Sequence, residues 1–210
     1  MDGVIDMDKA RALVADRSLW PRVRDFLWDF APQIHDGWRE DLAIPANLDS
    51  PRIRRYMLEK LGVAPCFHGF PKEDGSRLLL LDASTLDAIA KWLGALAGAD
   101  SLRTTTDGAT VKELKKELSG VYPEVFGYTA YFKLDAYPAK TAGEVTANGY
   151  KMLFSALAGL PEPLQARLRL KLPRGCTGSE GKQASCRTTL ATVQKLLKLK
   201  FPEAYALCCY

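Results

Sequence analysis

The sequence predicts an all-α fold, a single compact multi-helix domain over residues 1–210 with room for one short strand pair. Apolar residues recur at three- and four-residue spacing through most of the chain, and no segment shows the strict alternation of a half-buried strand. Helix start and stop signals also stand in the expected order, as where Ser50-Pro51 precedes such a segment and Gly62 follows it. No 20- to 50-residue period repeats, so a solenoid is not indicated.

In the first third of the chain, the sequence pattern predicts three helices and a loop. Residues 6–15 have helical spacing, and a second helix begins at a Ser18 cap and ends before Pro32. The third helix covers residues 51–62, where Pro opens the segment and Gly closes it. Two prolines and two glycines within residues 64–75 predict the loop.

The rest of the chain predicts six further helices, over residues 84–97, 107–120, 123–131, 141–157, 161–172 and 189–201. Asp82 or Ser84 is the expected cap of the first of these, and Thr188 or Thr189 the expected cap of the last. Residues 78–81 fit either a short strand or a buried turn. Residues 174–187, rich in Gly, Ser, Lys and Thr, predict a mobile loop.

The charge of the chain is unevenly distributed. The formal net charge is +4, but residues 161–210 hold nine Lys/Arg against three acidic residues, so residues 1–160 carry a net charge of −2. A one-sided field of this kind favours an acidic partner and speeds the encounter with it. The alternative is a solvated basic face without a partner. A net charge of +4 is too small to indicate nucleic acid.

Cysteine usage and hydropathy predict a cytoplasmic protein. The five cysteines are odd in number and irregularly spaced, which argues against a disulfide framework and for a reducing compartment. Residues 1–8 lack the apolar region of a secretory signal. The longest apolar run, around residues 78–81, is far too short to cross a bilayer.

No known catalytic or metal-binding pattern is visible. The chain has two histidines, His35 and His68, and lacks the phosphate-loop, dinucleotide-binding, G-x-S-x-G and H-E-x-x-H signatures. Cys66 lies close to His68, but the paired cysteine spacing that zinc prefers is missing. The aromatic residues between 122 and 132 have few cations beside them, so they fit a core better than a nucleic-acid surface. We therefore predict a non-enzymatic binding protein without cofactor or metal.

Four segments, taken in order, resemble one protein family. They are residues 30–38 (FAPQIHDGW), 86–102 (LDAIAKWLGALAGADSL), 149–173 and 190–208. The most specific element is the end of the third, Arg167-Leu168-Arg169-Leu170-Lys171-Leu172-Pro173. Together they resemble the SctK family of type III secretion adaptors, which includes YscK-, PscK-, MxiK- and OrgA-like proteins.

The resemblance implies a function. SctK-like proteins are cytosolic adaptors at the base of the injectisome, where they link the inner-membrane ring protein SctD to the pod protein SctQ and so support effector export. A protein of this kind is expected to be a monomer alone and to reach the membrane only through its partners. The family has no catalytic motif to carry over. The alternatives are a type III secretion chaperone, another helical binding module, or an enzyme whose site uses His35 or His68.

The candidate partner-binding residues are Trp92, Arg167, Arg169, Lys171 and Arg174. The four cations come from the basic C-terminal part of the chain, and Trp92 is expected to be a half-exposed interface anchor. The alternative for Arg167 and Lys171 is the solvent face of a helix whose leucines pack inward. His35 and Trp38 are expected to be structural, with the indole N–H donating to a carbonyl.

Overall fold

The computed structural model describes residues 16–44, 50–63, 69–175 and 189–209. These residues form ten α-helices and four short 3₁₀ helices and contain no β-strand, which confirms the all-α prediction. The α-helices are α1 (Trp20–Trp28), α2 (Asp36–Arg39), α3 (Pro51–Lys60), α4 (Ala83–Ala97), α5 (Ala99–Arg103), α6 (Gly108–Glu117), α7 (Ala142–Ala156), α8 (Glu162–Lys171), α9 (Leu190–Lys200) and α10 (Pro202–Cys209). The 3₁₀ helices are Ala31–Gln33, Ser76–Leu80, Glu124–Gly127 and Thr129–Tyr131.

The contacts divide the chain into two compact units. The first unit comprises Met1–Ala83, Gly159–Arg174 and Glu203–Tyr210, and the second comprises Ser84–Ala158 and Gly175–Pro202. The single-domain organisation over residues 1–210 stays a prediction. Some of the predicted elements lie outside the described residues. They are the helix over residues 6–15, part of the loop over 64–75, and most of the loop over 174–187.

The first unit is built around the aromatic face of α1. The ring of Phe26 packs edge-on against Phe30 and Phe70, with centroids 5.5 and 5.9 Å apart. Around these rings α1 packs against the Ser76–Leu80 turn, and α3 packs against the Ala31–Gln33 turn. The alternative of a strand over residues 78–81 is therefore wrong. Residues 78–80 lie in the Ser76–Leu80 3₁₀ turn, Leu81 is its C-terminal cap, and all four leucines are buried.

In the second unit α7 is central and contacts both α6 and α9. It also crosses α4 so closely that only glycine fits at the crossing. A Cβ added to Gly94 would overlap the carbonyl oxygen of Val145, and one added to Gly149 would overlap that of Ala90. The two glycines therefore allow the backbones of α4 and α7 to touch.

Local signals placed most helix ends correctly. Asp107 accepts a hydrogen bond from the Thr110 amide, and Thr189 caps α9. Thr141 and Glu144 form a complete capping box at the start of α7. The bonds that Glu144 accepts from backbone amides lower the pKa of its carboxyl group.

Two local predictions are wrong. Ser18 does not cap α1, because its hydroxyl and amide both donate to the carboxylate of Asp16, which also accepts from the Leu19 amide. These bonds lower the pKa of Asp16. The helix expected over residues 123–131 is instead two 3₁₀ turns, Glu124–Gly127 and Thr129–Tyr131.

Candidate functional site

The Arg167 side chain enters the core of the first unit and is 0% exposed. Its guanidinium donates to the carbonyl oxygens of Phe26, Leu27 (3.1 Å) and Val63 (2.6 Å). It also lies over the rings of Phe26 and Phe30, with its central carbon 5.2 and 5.1 Å from their centroids. Arg167 therefore joins three chain segments that are far apart in sequence.

The acceptors of Arg167 explain why a cation is buried there. Phe26 and Leu27 lie in the last turn of α1, and Val63 follows the end of α3. The last four carbonyls of a helix lack intrahelical partners, and they carry the negative end of the helix dipole. A planar guanidinium with five N–H groups reaches several such carbonyls at once and stacks on aromatic rings.

Lys171 occupies the same face of α8 one turn later and is also buried. Its ammonium donates to the side-chain oxygen of Gln33 (3.0 Å) and to the carbonyls of Leu79 (2.7 Å) and Leu81. Burial lowers the pKa of Lys171 to about 8, and the charge of Asp82 partly opposes this. The ammonium thus satisfies carbonyls at the end of the Ser76–Leu80 turn.

The burial of Lys171 makes stability pH-dependent. Because its pKa is about 8 folded and 10.5 unfolded, the unfolded chain binds more protons between these values. The free energy of unfolding contributed by this group should therefore rise by about 3 kcal/mol from pH 8 to about 10.5 and stay level below pH 8. Urea titrations of wild type and Lys171→Met at several pH values measure the difference. Parallel curves for the two proteins would contradict this assignment.

The predicted exposure of Arg167 and Lys171, to a partner or to solvent, is wrong. Leu164, Arg167, Leu168 and Lys171 are all buried and follow the i, i+3, i+4, i+7 spacing of one helix face. The inward packing of Leu168 is as expected, but the two cations share its face. The spacing was visible in the sequence, whereas the carbonyls that receive the cations belong to distant segments.

The other two predicted cations, Arg169 and Arg174, are exposed, as a role in partner binding requires. Arg169 forms an ion pair with Glu162, at 3.2 Å, along the outer side of α8. Arg174 pairs with Asp41 and lies over the ring of Trp38, 5.8 Å from its centroid. Exposed pairs of this kind contribute little to stability, so both cations can exchange partners. Their role in partner binding stays a prediction.

His35 and Trp38 have structural partners. The indole N–H of Trp38 donates to the carbonyl of Leu172 at 2.9 Å, as expected for this residue. The His35 ring nitrogen Nδ1 accepts from the Gly37 amide at 3.1 Å and caps α2. The His35 amide donates to the Leu170 carbonyl. These bonds fix α2 against the end of α8.

Trp92 is 5% exposed, so the expectation of a half-exposed anchor is wrong. Its ring packs edge-on against Tyr128 at 5.7 Å, and the Lys200 ammonium lies 4.5 Å from the Trp92 centroid and 4.0 Å from that of Tyr128. Burial acts to lower the pKa of Lys200, but bonds to Glu124 and Tyr128 outweigh it, so the pKa is raised. Trp92 is thus a core residue whose ring makes a cation–π contact with Lys200.

The large exposed apolar side chains of the first unit lie on α1 and α3. Trp28, Ile53 and Tyr56 are all exposed, Tyr56 at 62%. An ion pair between Asp29 and Arg54 joins the end of α1 to α3. The apolar spacing of residues 51–62 in the sequence predicts one face with Ile53, Tyr56, Met57 and Leu61, but the residues that α3 buries are Met57 and Leu58.

Exposed arginines lie on the same two helices. Arg24 lies one turn before Trp28 on α1, and Arg52 and Arg55 are neighbours of Ile53 and Tyr56 on α3; all three are exposed. We call this set the aromatic–arginine surface; it consists of Arg24, Trp28, Arg52, Ile53, Arg55 and Tyr56. Trp20, half-buried, packs edge-on against Trp28 at 6.0 Å and supports it from within α1.

The second unit has a smaller exposed group, the tyrosine–lysine surface, made of Tyr131, Lys195, Lys198 and Leu199. Tyr131 is 60% exposed, and Leu199 is also exposed. Lys195 donates to the Tyr131 carbonyl and lies 5.4 Å from the centroid of Phe132. Leu199 follows Lys195 by one turn of α9, which places both on the same side of the helix.

The described residues contain no cluster of three His, Cys, Asp or Glu side chains that could hold a metal ion. Of the two thiols there, Cys208 is buried, and burial, followed by the nearby Cys209, raises its pKa to about 12. A thiol of that pKa is a poor nucleophile. Cys66 and His68, whose spacing was weighed as a zinc site, lie outside the described residues, as do Cys176 and Cys186.

Comparisons with known proteins give no further assignment. No protein-family model, no curated protein and no solved structure matches the chain. Among the described residues, no helix has both the length and the apolar character needed to cross a bilayer. The function must therefore be argued from the residues and from the two exposed surfaces.

Proposed function

We propose that the chain is a SctK-like sorting-platform adaptor of a bacterial type III secretion system. In this role it links the cytoplasmic domain of an SctD-like inner-membrane ring protein to an SctQ-like pod protein. It acts at the cytosolic face of the inner membrane and supports the export of effectors. It binds proteins and catalyses no reaction.

The observation that carries the proposal is that each of the two units of an all-α chain has an exposed surface with a tyrosine, an aliphatic side chain and cations. An adaptor that links two proteins needs two contact areas, and each unit supplies one: the aromatic–arginine surface in the first and the tyrosine–lysine surface in the second. Both combine an exposed tyrosine with cations and an aliphatic side chain. Interfaces are enriched in tyrosine, which both surfaces expose, and in arginine, which only the aromatic–arginine surface contains; this supports recognition as the role of the exposed tyrosines.

The SctK family enters the proposal because four segments of the chain resemble it in the same order. The four SctK-like segments cover residues 30–38, 86–102, 149–173 and 190–208, so both units contribute to them. Several of their most distinctive residues have structural roles, with Arg167 and Lys171 inside the first unit and Gly94 and Gly149 at the helix crossing of the second. Residues of this kind specify a fold, and the fold then presents the surfaces.

The proposal is tested by direct binding to each partner. The full chain is immobilised and titrated separately with the SctD-like cytoplasmic domain and the SctQ-like protein of the same organism. We expect both to bind, with the affinity weakening as salt rises because the exposed surfaces of the chain are basic. An unrelated protein of matched size and net charge serves as the control.

Two outcomes would contradict the adaptor role. If neither protein binds above the control, the proposal is wrong. If instead an exported substrate of the secretion system binds while both platform proteins fail, the chain is a secretion chaperone.

A further inference from the structure

The ammonium group of Lys200 lies in a corner between two aromatic rings of the second unit. The rings of Trp92 and Tyr128 are perpendicular, and the Lys200 Nζ atom is 4.5 Å from the first centroid and 4.0 Å from the second. Both distances are well inside the range of about 6 Å over which a ring face attracts a cation. Glu124 adds a carboxylate that accepts a hydrogen bond from the same ammonium. We call Trp92, Tyr128 and Glu124 the ammonium site.

The ammonium site is more elaborate than a simple contact between a cation and a ring. Three other cations of the second unit each lie over one ring, at 5.3 to 6.0 Å: Arg103 over Phe126, Lys151 over Tyr137 and Lys195 over Phe132. Lys200 instead has two rings and an opposite charge around one ammonium. Aromatic rings grouped around one cation are the means by which proteins recognise methylated and quaternary ammonium ligands.

The occupant of the ammonium site can leave without disrupting the helix that carries it. Lys200 is the last residue of α9, and its charge is carried on a flexible four-carbon stem. Lys200 and Tyr128 are half-buried and Glu124 is exposed, so solvent reaches the carboxylate side of the corner. Arg167, which also lies over two rings, is instead 0% exposed and bonded to three backbone carbonyls, as a permanent part of a core is.

The ammonium site also favours the charged form of its occupant. Burial acts to lower the pKa of Lys200, but the bonds to Glu124 and Tyr128 outweigh burial, so the pKa is raised. The site therefore stabilises an ammonium relative to the neutral amine, which is the property that a receptor for alkylammonium groups needs.

We propose that the ammonium site is a binding site for alkylammonium groups of the lysine type, and that Lys200 occupies it as an internal ligand. Lys200 itself shows that a primary ammonium on an unbranched four-carbon stem fits between the rings and the carboxylate. A tethered ligand has an effective concentration in the millimolar range, so an external ligand binds only when Lys200 is displaced or removed. This inference does not depend on the adaptor role.

The test removes the internal ligand and supplies a matching one. Lys200→Ala lacks the part of the side chain that corresponds to propylammonium. We expect propylammonium to bind the full-length Lys200→Ala chain at least about tenfold more tightly than 1-propanol, its uncharged counterpart. It should bind wild type at least about tenfold more weakly than the variant, because Lys200 competes for the site. Titrations that follow the Trp92 indole resonance by NMR measure these affinities.

Two further variants control for a non-specific effect of the salt. Lys198→Ala removes an exposed lysine from the same helix, and it should bind propylammonium no better than wild type does. Adding Glu124→Gln to Lys200→Ala should weaken propylammonium binding at least about tenfold and leave the weak binding of 1-propanol unchanged. Circular dichroism checks that each variant folds.

A measurement on wild type covers the case in which Lys200→Ala does not fold. The ε-methylene protons of Lys200 should resonate upfield of those of Lys198, because the adjoining ammonium lies against two rings. A lysine-rich peptide, in excess over the effective concentration of the tethered side chain, should move this resonance towards that of Lys198, and the acetylated peptide should not. The inference is overturned if the two lysines resonate together, if both peptides act alike, or if propylammonium and 1-propanol bind Lys200→Ala equally.

Discussion

Replacing Arg167 with alanine is expected to lower the free energy of unfolding by about 4 kcal/mol. The change removes the donor that satisfies three buried carbonyls, those of Phe26, Leu27 and Val63. Each buried carbonyl left without a partner costs about 1–3 kcal/mol. The lost packing on Phe26 and Phe30 adds a cavity cost. Chemical denaturation monitored by circular dichroism measures the change.

The neighbouring arginine on the same helix supplies the control. Arg169→Ala removes an exposed cation whose ion-pair partner is Glu162, and we expect a change within about 0.5 kcal/mol. Arg167→Lys keeps the charge but replaces the planar fork with one ammonium, so it should lose about 2 kcal/mol. Equal stability of Arg167→Ala and Arg169→Ala would show that the buried guanidinium does not hold the core together.

Replacing Gly149 with alanine is expected to destabilise the second unit by at least about 3 kcal/mol. The new methyl group would overlap the carbonyl of Ala90, and because that atom is backbone, α4 and α7 must move apart. Overpacking of this kind costs about 1–3 kcal/mol even where flexible side chains absorb it. The better helix propensity of alanine offsets only about 1 kcal/mol of this cost.

Gly94→Ala should have a similar effect, because its methyl group would overlap the Val145 carbonyl at the same crossing. The double variant should cost less than the sum of the two single changes, since the helices separate only once. Gly143→Ala on α7 is the control. Its nearest neighbour is the Thr141 hydroxyl at 4.0 Å, so alanine should be neutral or slightly stabilising. Thermal unfolding of the four variants measures these differences, and equal stability of Gly149→Ala and Gly143→Ala would contradict the prediction.

The sequence predicted those features that depend on neighbouring residues. The helix predicted from Thr141 does begin there, because Thr141 and Glu144 form a capping box whose hydroxyl, carboxylate and amides lie within four residues of one another. Asp107 caps α6 for the same reason. Pro51 and Gly62 mark the limits of α3 because their backbone preferences are intrinsic, and Gly62 has a positive φ of 67°.

The features that the sequence did not predict depend on distant partners. Arg167 and Lys171 are buried because helix-end carbonyls from residues 26–27, 63 and 79–81 converge on α8. Nothing within α8 itself signals those acceptors. Likewise, α3 buries Met57 and leaves Tyr56 exposed, although both residues are apolar enough for a core. The Ala31–Gln33 turn that packs against α3 determines which side of the helix is covered.

The same long-range contacts determine which of the predicted partner-binding residues are buried and which are exposed. Arg167, Lys171 and Trp92 are core residues, while Arg169 and Arg174 remain on the surface. The basic excess of residues 161–210 is therefore only partly available to a partner. Exposed cations also lie on α1 and α3, in a part of the chain whose net charge is negative.

In the adaptor role proposed for this chain, it joins two different proteins at the same time. The most direct measurement is the mass of the complex formed when the chain, the SctD-like cytoplasmic domain and the SctQ-like protein are mixed and separated by size-exclusion chromatography with light scattering. We predict one species that contains all three, with no complex of the two platform proteins when the chain is omitted. Mutually exclusive binding, in which either platform protein displaces the other from the chain, would contradict the adaptor role.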